Sequence, residues 1–118
     1  MDIHYAIGDI HGRDDLLEAL HERIAADRRA RHGDARAVIV HVGDYIDRGA
    51  CSREVIDRLM RGVPGFDSIC LKGNHEDLML ACLETDASHV WSMWLGNGGY
   101  ETAQSFGLSV EPGDYDPL

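Results

Sequence analysis

The stretch from Gly43 to Gly49, Gly-Asp-Tyr-Ile-Asp-Arg-Gly, constrains the fold more than any other part of the chain. It follows residues 37–42, an almost unbroken run of apolar and β-branched residues that is typical of a strand buried on both faces. The loop after this strand would carry the carboxylates of Asp44 and Asp47 and the guanidinium of Arg48. Because an unpaired ion away from water is very costly, these groups need partners. The simplest partners are a divalent metal for the carboxylates and a phosphate for the arginine.

Two further polar loops also follow predicted strands. Residues 8–12, Gly-Asp-Ile-His-Gly, come after a strand from Ile3 to Ile7. Residues 73–76, Gly-Asn-His-Glu, come after a strand over residues 66–71. The chain therefore presents three strand ends that each lead into a loop with ionisable or amide side chains.

Helical periodicity fills the segments that separate these strands. The acidic pair Asp14 and Asp15 favours the first turn of a helix that ends near Gly33. Ser52 is a candidate N-cap for a second helix, and a third covers residues 75–83. The apolar residues expected to be buried along the first two helices are Leu16, Leu17, Leu20, Ile24, Val55, Ile56, Leu59 and Met60.

The order β-α-β-α-β-α predicts an α/β fold with a three-stranded parallel sheet. Short helices are expected after residue 88, at about residues 91–95 and 100–106, and a mobile tail over 109–118. We treat residues 1–118 as a single domain. In such sheets ligands bind outside the carboxyl ends of the strands, so the three polar loops should converge there.

The composition limits the classes of partner that the chain is expected to bind. The formal net charge of −10 argues against nucleic acid, because phosphate backbones select faces rich in lysine and arginine. The apolar runs are too short to span a bilayer, and the chain starts without a basic leader or a cleavage site, so we expect no membrane partner and a cytoplasmic location. The three cysteines form no zinc-type pair and are interpreted as reduced thiols.

The donor atoms of the three loops suit a particular chemistry. Asp9 and His11 are separated by one residue, so both can point to one side of their loop, and this pair suits Mn²⁺, Fe or Zn²⁺ better than Mg²⁺ or Ca²⁺. Asp44 can bridge two ions, Asn74 offers a carbonyl oxygen, and His75 offers a ligand nitrogen or a proton. Two cations about 3.5–4 Å apart would polarise a phosphoryl group and generate a hydroxide for in-line attack. The loops together predict a metal-dependent phosphoester site.

The same motifs carry a family resemblance. The set GDIHG (8–12), GDYIDRG (43–49) and GNHE (73–76) closely resembles the calcineurin-like metallophosphoesterases, and within them the phosphoprotein-phosphatase branch. The segment 94–102, WLGNGGYET, resembles the W-L-x-x-G-G-x-x-T stretch of bacterial serine/threonine phosphatases of that branch. The resemblance implies an α/β sandwich of which this chain matches the N-terminal half.

The resemblance also implies a metal-ligand set. Asp9 and His11 would bind the first metal, Asp44 would bridge both metals, and Asn74 would bind the second. Two divalent ions are implied, with Mn²⁺ expected first and Fe or Zn²⁺ as alternatives. The family has two further metal-binding histidines downstream of the GNHE motif, and no residue here matches them. The second metal site is therefore expected to be incomplete in this chain.

The remaining motif residues are implied to act on the substrate. His75 would be the general acid, oriented by Asp47, and Arg48 would hold the substrate phosphate. The implied activity is phosphomonoester hydrolysis with a metal-activated hydroxide, on a phosphorylated protein or a small phosphoester. The first hypothesis is a protein serine/threonine phosphatase, and the alternative is a dinucleoside-polyphosphate hydrolase of the same superfamily.

A third reading follows from the missing half of the family pattern. The chain could be an N-terminal fragment or a truncated product that binds a metal or a partner without turnover, so the activity of these 118 residues alone stays open. A missing part of the fold would leave a strand edge and apolar surface uncovered, and self-association through that edge is one consequence.

Other chemistry-bearing side chains are interpreted as structural. His41 in a strand is expected to be packed or hydrogen-bonded, and His21 in a helix to be solvated. Cys70 and Cys82 are expected to be small core residues. Trp94 is assigned to a satellite core under the short helices rather than to a substrate surface.

Overall fold

The fold is a three-stranded parallel sheet with its most apolar strand in the middle, in a computed structural model that describes residues 2–108. Strand β2 (Ala37–His41) pairs on one side with β1 (Ile3–Ile7) and on the other with β3 (Asp67–Cys70). Ile7 and Cys70 both lie opposite His41, so the three strands end level with one another. The predicted α/β class and parallel sheet are confirmed.

Helices follow each strand, and their bounds are close to those predicted. No helix among residues 2–108 has the length and apolar character that crossing a bilayer requires. Between the last two helices, Leu95–Gly99 forms a kinked connection, because Gly98 has a φ of 101°. The predicted tail, 109–118, lies outside the described residues. The helices are α1 (Asp14–Arg31), α2 (Ser52–Arg61), α3 (Asn74–Leu83), α4 (Ser88–Trp94) and α5 (Tyr100–Ser105).

The hydrophobic core lies between the sheet and the first two helices. Four of the five residues of β2 are buried and Val40 is half-buried, so residues on both faces of the strand are covered. The core also includes two residues from the loop after β2, so the polar loop is attached directly to the core. The buried cluster consists of Ile7, Ile10, Leu17, Ile24, Ile39, Tyr45, Ile46 and Val55.

The apolar stripe of α1 is narrower than predicted. Leu17, His21 and Ile24, at spacings of four and three residues, form its buried face. Leu16 and Leu20 lie one residue earlier around the helix and are 56% and 38% exposed. Their predicted burial is wrong, because each residue turns the side chain by about 100° around the helix.

The stripe of α2 is also narrower at its end. Val55 is fully buried, and Ile56 and Leu59 pack against the core in part. Met60 is 81% exposed, so its predicted burial is wrong. The face of α2 that meets the core runs through Ser52, Val55 and Leu59, and Met60 lies to the side of that line.

Strand β3 is one of the two edge strands of the sheet, and all four of its residues are exposed. Ile69 and Leu71 are 48% and 50% exposed, so apolar surface continues past the strand end. The predicted core position of Cys70 is therefore wrong, because both faces of this strand are open within the described residues. Cys82, by contrast, is buried as predicted.

A pair of buried histidines joins α1 to β2. His21 and His41 are 6% and 1% exposed, and their Nε2 atoms lie 3.0 Å apart. One ring must donate and the other accept, so the accepting ring must be neutral, and the pair cannot exist with both rings charged. Burial lowers the pKa of His21 to about 4 and also lowers the pKa of His41. The predicted solvation of His21 is wrong, because the histidine lies on the buried line of α1.

This pair should make stability depend on pH. The pKa of His21 is lower in the folded state than in the unfolded state, so the unfolded state binds more protons as the pH falls below about 6.5. We expect the free energy of unfolding to fall between pH 7 and pH 5 by roughly 1–2 kcal/mol from this residue. Urea unfolding at several pH values measures the effect.

The matched comparison uses two histidine variants. His21→Gln should flatten the dependence over this pH window, whereas His4→Gln, at an exposed position, should leave the slope as in the wild type. An unchanged slope in His21→Gln would show that the buried pair does not titrate as described.

Candidate active site

Backbone hydrogen bonds fasten the loop after β1 to the loop after β2. The N–H groups of Ile10 and His11 both donate to the carbonyl oxygen of Asp44, at 3.0 and 2.9 Å. In return, the N–H of Gly49 donates to the carbonyl oxygen of His11 at 3.0 Å. A Cβ on Gly12 would lie 2.7 Å from the carbonyl oxygen of Gly49, so the two backbones touch where both motifs have glycine. The two loops form one unit.

The loop after β3 packs equally closely against the loop after β2. A Cβ on Gly43 would lie 2.6 Å from the Cα of Gly73, and only glycine fits at this approach. The N–H of His75 donates to Oδ1 of Asp44 at 3.0 Å. Asn74 therefore lies between two residues, Gly73 and His75, that both contact Asp44.

Glu76 anchors this contact and was not among the predicted site residues. Its carboxylate accepts the N–H groups of Asp44 at 2.6 Å, Tyr45 at 2.9 Å and Gly73 at 2.9 Å, with the N–H of Ile46 at 3.4 Å. The side chain is only 9% exposed, so these donors replace water around a buried charge. Glu76 is the third residue of α3, and a glutamate at this position is a capping signal in the sequence.

Asp9, His11 and Asp44 come together as a cluster of donors. One ligand atom from each side chain lies within 4.8 Å of the others. Nδ1 of His11 lies 2.9 Å from the carbonyl oxygen of Ile46, which can only accept, so Nδ1 carries the proton and Nε2 keeps a lone pair. A histidine oriented by a backbone carbonyl in this way is typical of metal ligands. Two carboxylates and an imidazole at this spacing fit a divalent cation.

His75 and Asp47 form a second contact at the same place. Nδ1 of His75 lies 2.7 Å from Oδ2 of Asp47, and the Asp47 side chain is fully buried. The rings of His75 and His11 meet edge to face, with centroids 4.7 Å apart, so this pair adjoins the donor cluster. A cavity of about 190 Å³ beside His75 is lined by Asn74, His75, Leu78 and Asn97.

The Asp47 carboxylate is also bound by two residues from the C-terminal part of the described chain. Nε1 of Trp94 lies 3.0 Å from both carboxylate oxygens, and the Thr102 hydroxyl donates to Oδ1 at 2.7 Å. Trp94 is buried, as a core residue would be, but its polar contact was not predicted. Ser52 is not the N-cap of α2; Cys51 takes that position, and the Ser52 hydroxyl contacts Thr102 at 3.0 Å.

Arg48 follows Asp47 with an exposed side chain. Its backbone N–H donates to the carbonyl oxygen of Gly98 at 3.0 Å, so the main chain of the residue is fixed while its side chain is exposed. The exposed Arg48 directly follows the buried Asp47 in the chain. This arrangement leaves the guanidinium available to an anion.

Backbone strain is concentrated in the site. A non-glycine residue with positive φ costs of order 1 kcal/mol or more and persists only where surrounding contacts enforce it. Within residues 2–108, the non-glycine residues with positive φ are Asp9, His11, Asp44, Asp47 and Arg48. All five belong to the site predicted from the motifs. The loop-to-loop hydrogen bonds supply the contacts that hold these conformations.

Comparison with known proteins identifies the family. Residues 5–114 match the calcineurin-like phosphoesterase family, so the chain belongs to that family. The chain is 35% identical over 95 residues to "Serine/threonine-protein phosphatase 2" of Escherichia coli (strain K12). It is 33% identical over 95 residues to "Serine/threonine-protein phosphatase 1" of Salmonella typhimurium. Each match covers 80% of this chain but only 38% of the relative, so the chain spans under half of either relative's length.

Membership of this family supports the interpretation of the donor cluster as a metal site. Metallophosphoesterases bind divalent metals, and Asp9, His11 and Asp44 form the candidate metal site of this chain. The structure places Asp9, His11 and Asp44 together and the His75–Asp47 pair beside them, whereas Asn74 and Arg48 are neighbours of these residues in the chain.

Removing the charge of Glu76 should loosen this assembly. Glu76→Gln exchanges one acceptor oxygen for an NH₂ group that would face backbone donors, so we expect a loss of about 2–3 kcal/mol in the free energy of unfolding. Glu84→Gln makes the same change at an exposed position at the end of α3 and should alter stability by less than about 0.5 kcal/mol. Urea unfolding measures both, and equal effects of the two variants would argue against the anchoring role.

Proposed function

We propose that this chain carries the catalytic loops of a metal-dependent phosphomonoester hydrolase that acts on phosphoserine or phosphothreonine in proteins. The observation that carries the proposal is the placement, in a calcineurin-like phosphoesterase, of the Asp9–His11–Asp44 cluster beside the His75–Asp47 pair. A donor set for a cation and a histidine held by a carboxylate are the two parts that such a hydrolysis requires.

The proposed metal-binding roles combine the donor cluster with what the family resemblance implies. Asp9, His11 and Asp44 would hold a first ion, with Mn²⁺ preferred over Fe or Zn²⁺. Asp44 would be shared with a second ion that Asn74 helps to hold, which gives this chain only two ligands for the second site. When bound, such ions would supply Lewis-acid chemistry and a nucleophile derived from water. The chain's own contribution is to fix the ligands, through the strained loops and the His11 contact to Ile46.

His75 is proposed as the general acid. Its Nδ1 is occupied by Asp47, so Nε2 is the atom from which it can transfer a proton to the leaving alkoxide. The buried Asp47 cannot turn away from the histidine, because three donors hold its carboxylate. The adjoining cavity, lined in part by Leu78 and Asn97, offers space for the leaving group next to this proton donor.

Arg48 is proposed to bind the substrate phosphate. A guanidinium can donate to two phosphate oxygens at once, and the exposed side chain of Arg48 is fixed at its backbone by Gly98. The guanidinium supplies a local positive charge for an anion in a chain whose formal charge is −10. Phosphorylated protein is favoured as the substrate class because both relatives named above are serine/threonine-protein phosphatases.

The test compares variants of the complete gene product with Mn²⁺. Asp44→Asn removes a ligand charge and His75→Ala removes the proton donor, so we expect each to lower kcat for an aryl phosphate by about 100-fold or more. Asp57→Asn and His4→Ala, both at exposed positions, should retain wild-type turnover. Undiminished activity in both site variants would reject the mechanism.

Two further measurements separate the alternative functions. A phosphoserine peptide should be hydrolysed faster than a dinucleoside tetraphosphate, and the reverse preference would overturn the proposed substrate class. A metal titration of the 118-residue chain that gives one binding event and no hydrolysis would favour a fragment that only binds.

A further inference from the structure

The carboxylate of Asp47 is held more completely than an interaction with His75 requires. Three donors surround its two oxygens: Nδ1 of His75 at Oδ2, the Thr102 hydroxyl at Oδ1, and Nε1 of Trp94 3.0 Å from each. The single N–H of Trp94 lies across both oxygens, so it fixes the rotation of the carboxylate plane. Trp94 and Thr102 are 47 and 55 residues away from Asp47 in the chain.

The proton positions around Thr102 follow from counting donors. The Asp47 carboxylate can only accept, so the one hydroxyl proton of Thr102 points to Oδ1. The oxygen of Thr102 then accepts the backbone N–H of Asp47 at 2.7 Å. Ser52, 3.0 Å away, is left as a donor to the same oxygen. Thr102 therefore holds both the side chain and the backbone of Asp47, whose φ is 76°.

The segment between Trp94 and Thr102 also contacts Arg48, the residue that follows Asp47. The carbonyl oxygen of Gly98 accepts the N–H of Arg48 at 3.0 Å, and a Cβ on Gly98 would lie 2.5 Å from that nitrogen. A Cβ on Gly99 would meet the ring of Trp94. Gly98 allows the segment 94–102 to approach Arg48, and Gly99 leaves room for the ring of Trp94. The segment therefore contacts Asp47 and Arg48 together.

We propose that Trp94 and Thr102 are positioning residues for the proposed phosphoester hydrolysis. They hold the Asp47 carboxylate so that Oδ2 faces Nδ1–H of His75. The proton that the imidazolium can give to the leaving group is then the one on Nε2, and its transfer leaves the ring as the neutral Nδ1–H tautomer. The inference rests on the proposed role of His75 as general acid. The segment 94–102, which was singled out in the sequence only by its family resemblance, would then serve to orient the Asp47 carboxylate.

The experiment removes one donor at a time and reads two quantities. Thr102→Val deletes the hydroxyl at nearly constant volume, and Trp94→Phe deletes the indole N–H. In each variant of the Mn²⁺-loaded complete gene product we expect kcat to fall about 10-fold to 100-fold, with KM within about twofold, because a general acid contributes about 10²–10⁴-fold in rate. Long-range ¹H–¹⁵N spectra of the metal-free protein at alkaline pH should show His75 as the Nδ1–H tautomer in the wild type and as a mixture in the variants.

Rescue and a matched control separate positioning from general destabilisation. Thr102→Ser keeps the hydroxyl and should restore kcat and the single tautomer. Trp91→Phe makes the same change three residues earlier in α4, where Nε1 donates to the carbonyl oxygen of Thr85, and should leave both quantities unchanged. If Thr102→Val does not fold, as judged by circular dichroism, Trp94→Phe carries the test.

The outcomes distinguish this inference from the proposed function. An active wild type whose Thr102→Val and Trp94→Phe variants keep both kcat and the single tautomer would overturn the positioning role and leave the phosphatase proposal intact. A wild type that hydrolyses no phosphoester, but whose tautomer becomes mixed in both variants, would overturn the proposed function while supporting the positioning of His75.

Discussion

Two buried carboxylates, those of Asp47 and Glu76, hold the three strand-end loops in one arrangement. A buried carboxylate is very unfavourable unless hydrogen-bond donors replace its hydration. Both carboxylates accept hydrogen bonds from more than one segment of the chain. Glu76 collects backbone N–H groups from its own loop and from the loop after β2. Asp47 collects donors from α3, α4 and α5. Because the donors are far apart in sequence, satisfying the two charges requires the segments to meet.

This requirement explains why the site tolerates strain. The five left-handed residues of the loops would relax if they were free, and neighbouring loops fix their carbonyl and N–H groups instead. The motif glycines allow the backbones to approach closely at Gly12–Gly49 and Gly43–Gly73. The energy of folding is thus used to place donor atoms before any ligand binds, which is the preorganisation that catalysis by positioning and electrostatics depends on.

Features that depend on neighbouring residues could be predicted from the sequence, whereas contacts between distant residues could not. Strands, helices and polar loops follow from local periodicity, and the level ends of parallel strands bring Asp9, His11 and Asp44 together. Glu76 was within reach of sequence reasoning through its capping position. The Thr102 contact to Asp47 was not, since no local pattern connects residues 55 positions apart.

Burial was predicted less well than secondary structure, for two physical reasons. On a helix, one residue of rotation separates a core position from solvent, which reversed the expectations for His21 and Leu20. In the sheet, the exposure of β3 depends on what covers its two faces, and the residues of the strand do not determine this. Cys70 was misplaced for that reason. The convergence of Asp9, His11 and Asp44 was more predictable than the burial around them, because it is set by the ends of the strands.

Diffraction from Mn²⁺-soaked crystals at the manganese absorption edge would show whether Asp9, His11 and Asp44 surround one cation, as we propose. We expect an anomalous peak within about 2.0–2.4 Å of one ligand atom from each of the three side chains. A structure in which the strongest peak lies elsewhere, or in which these side chains point away from a shared ion, would contradict it.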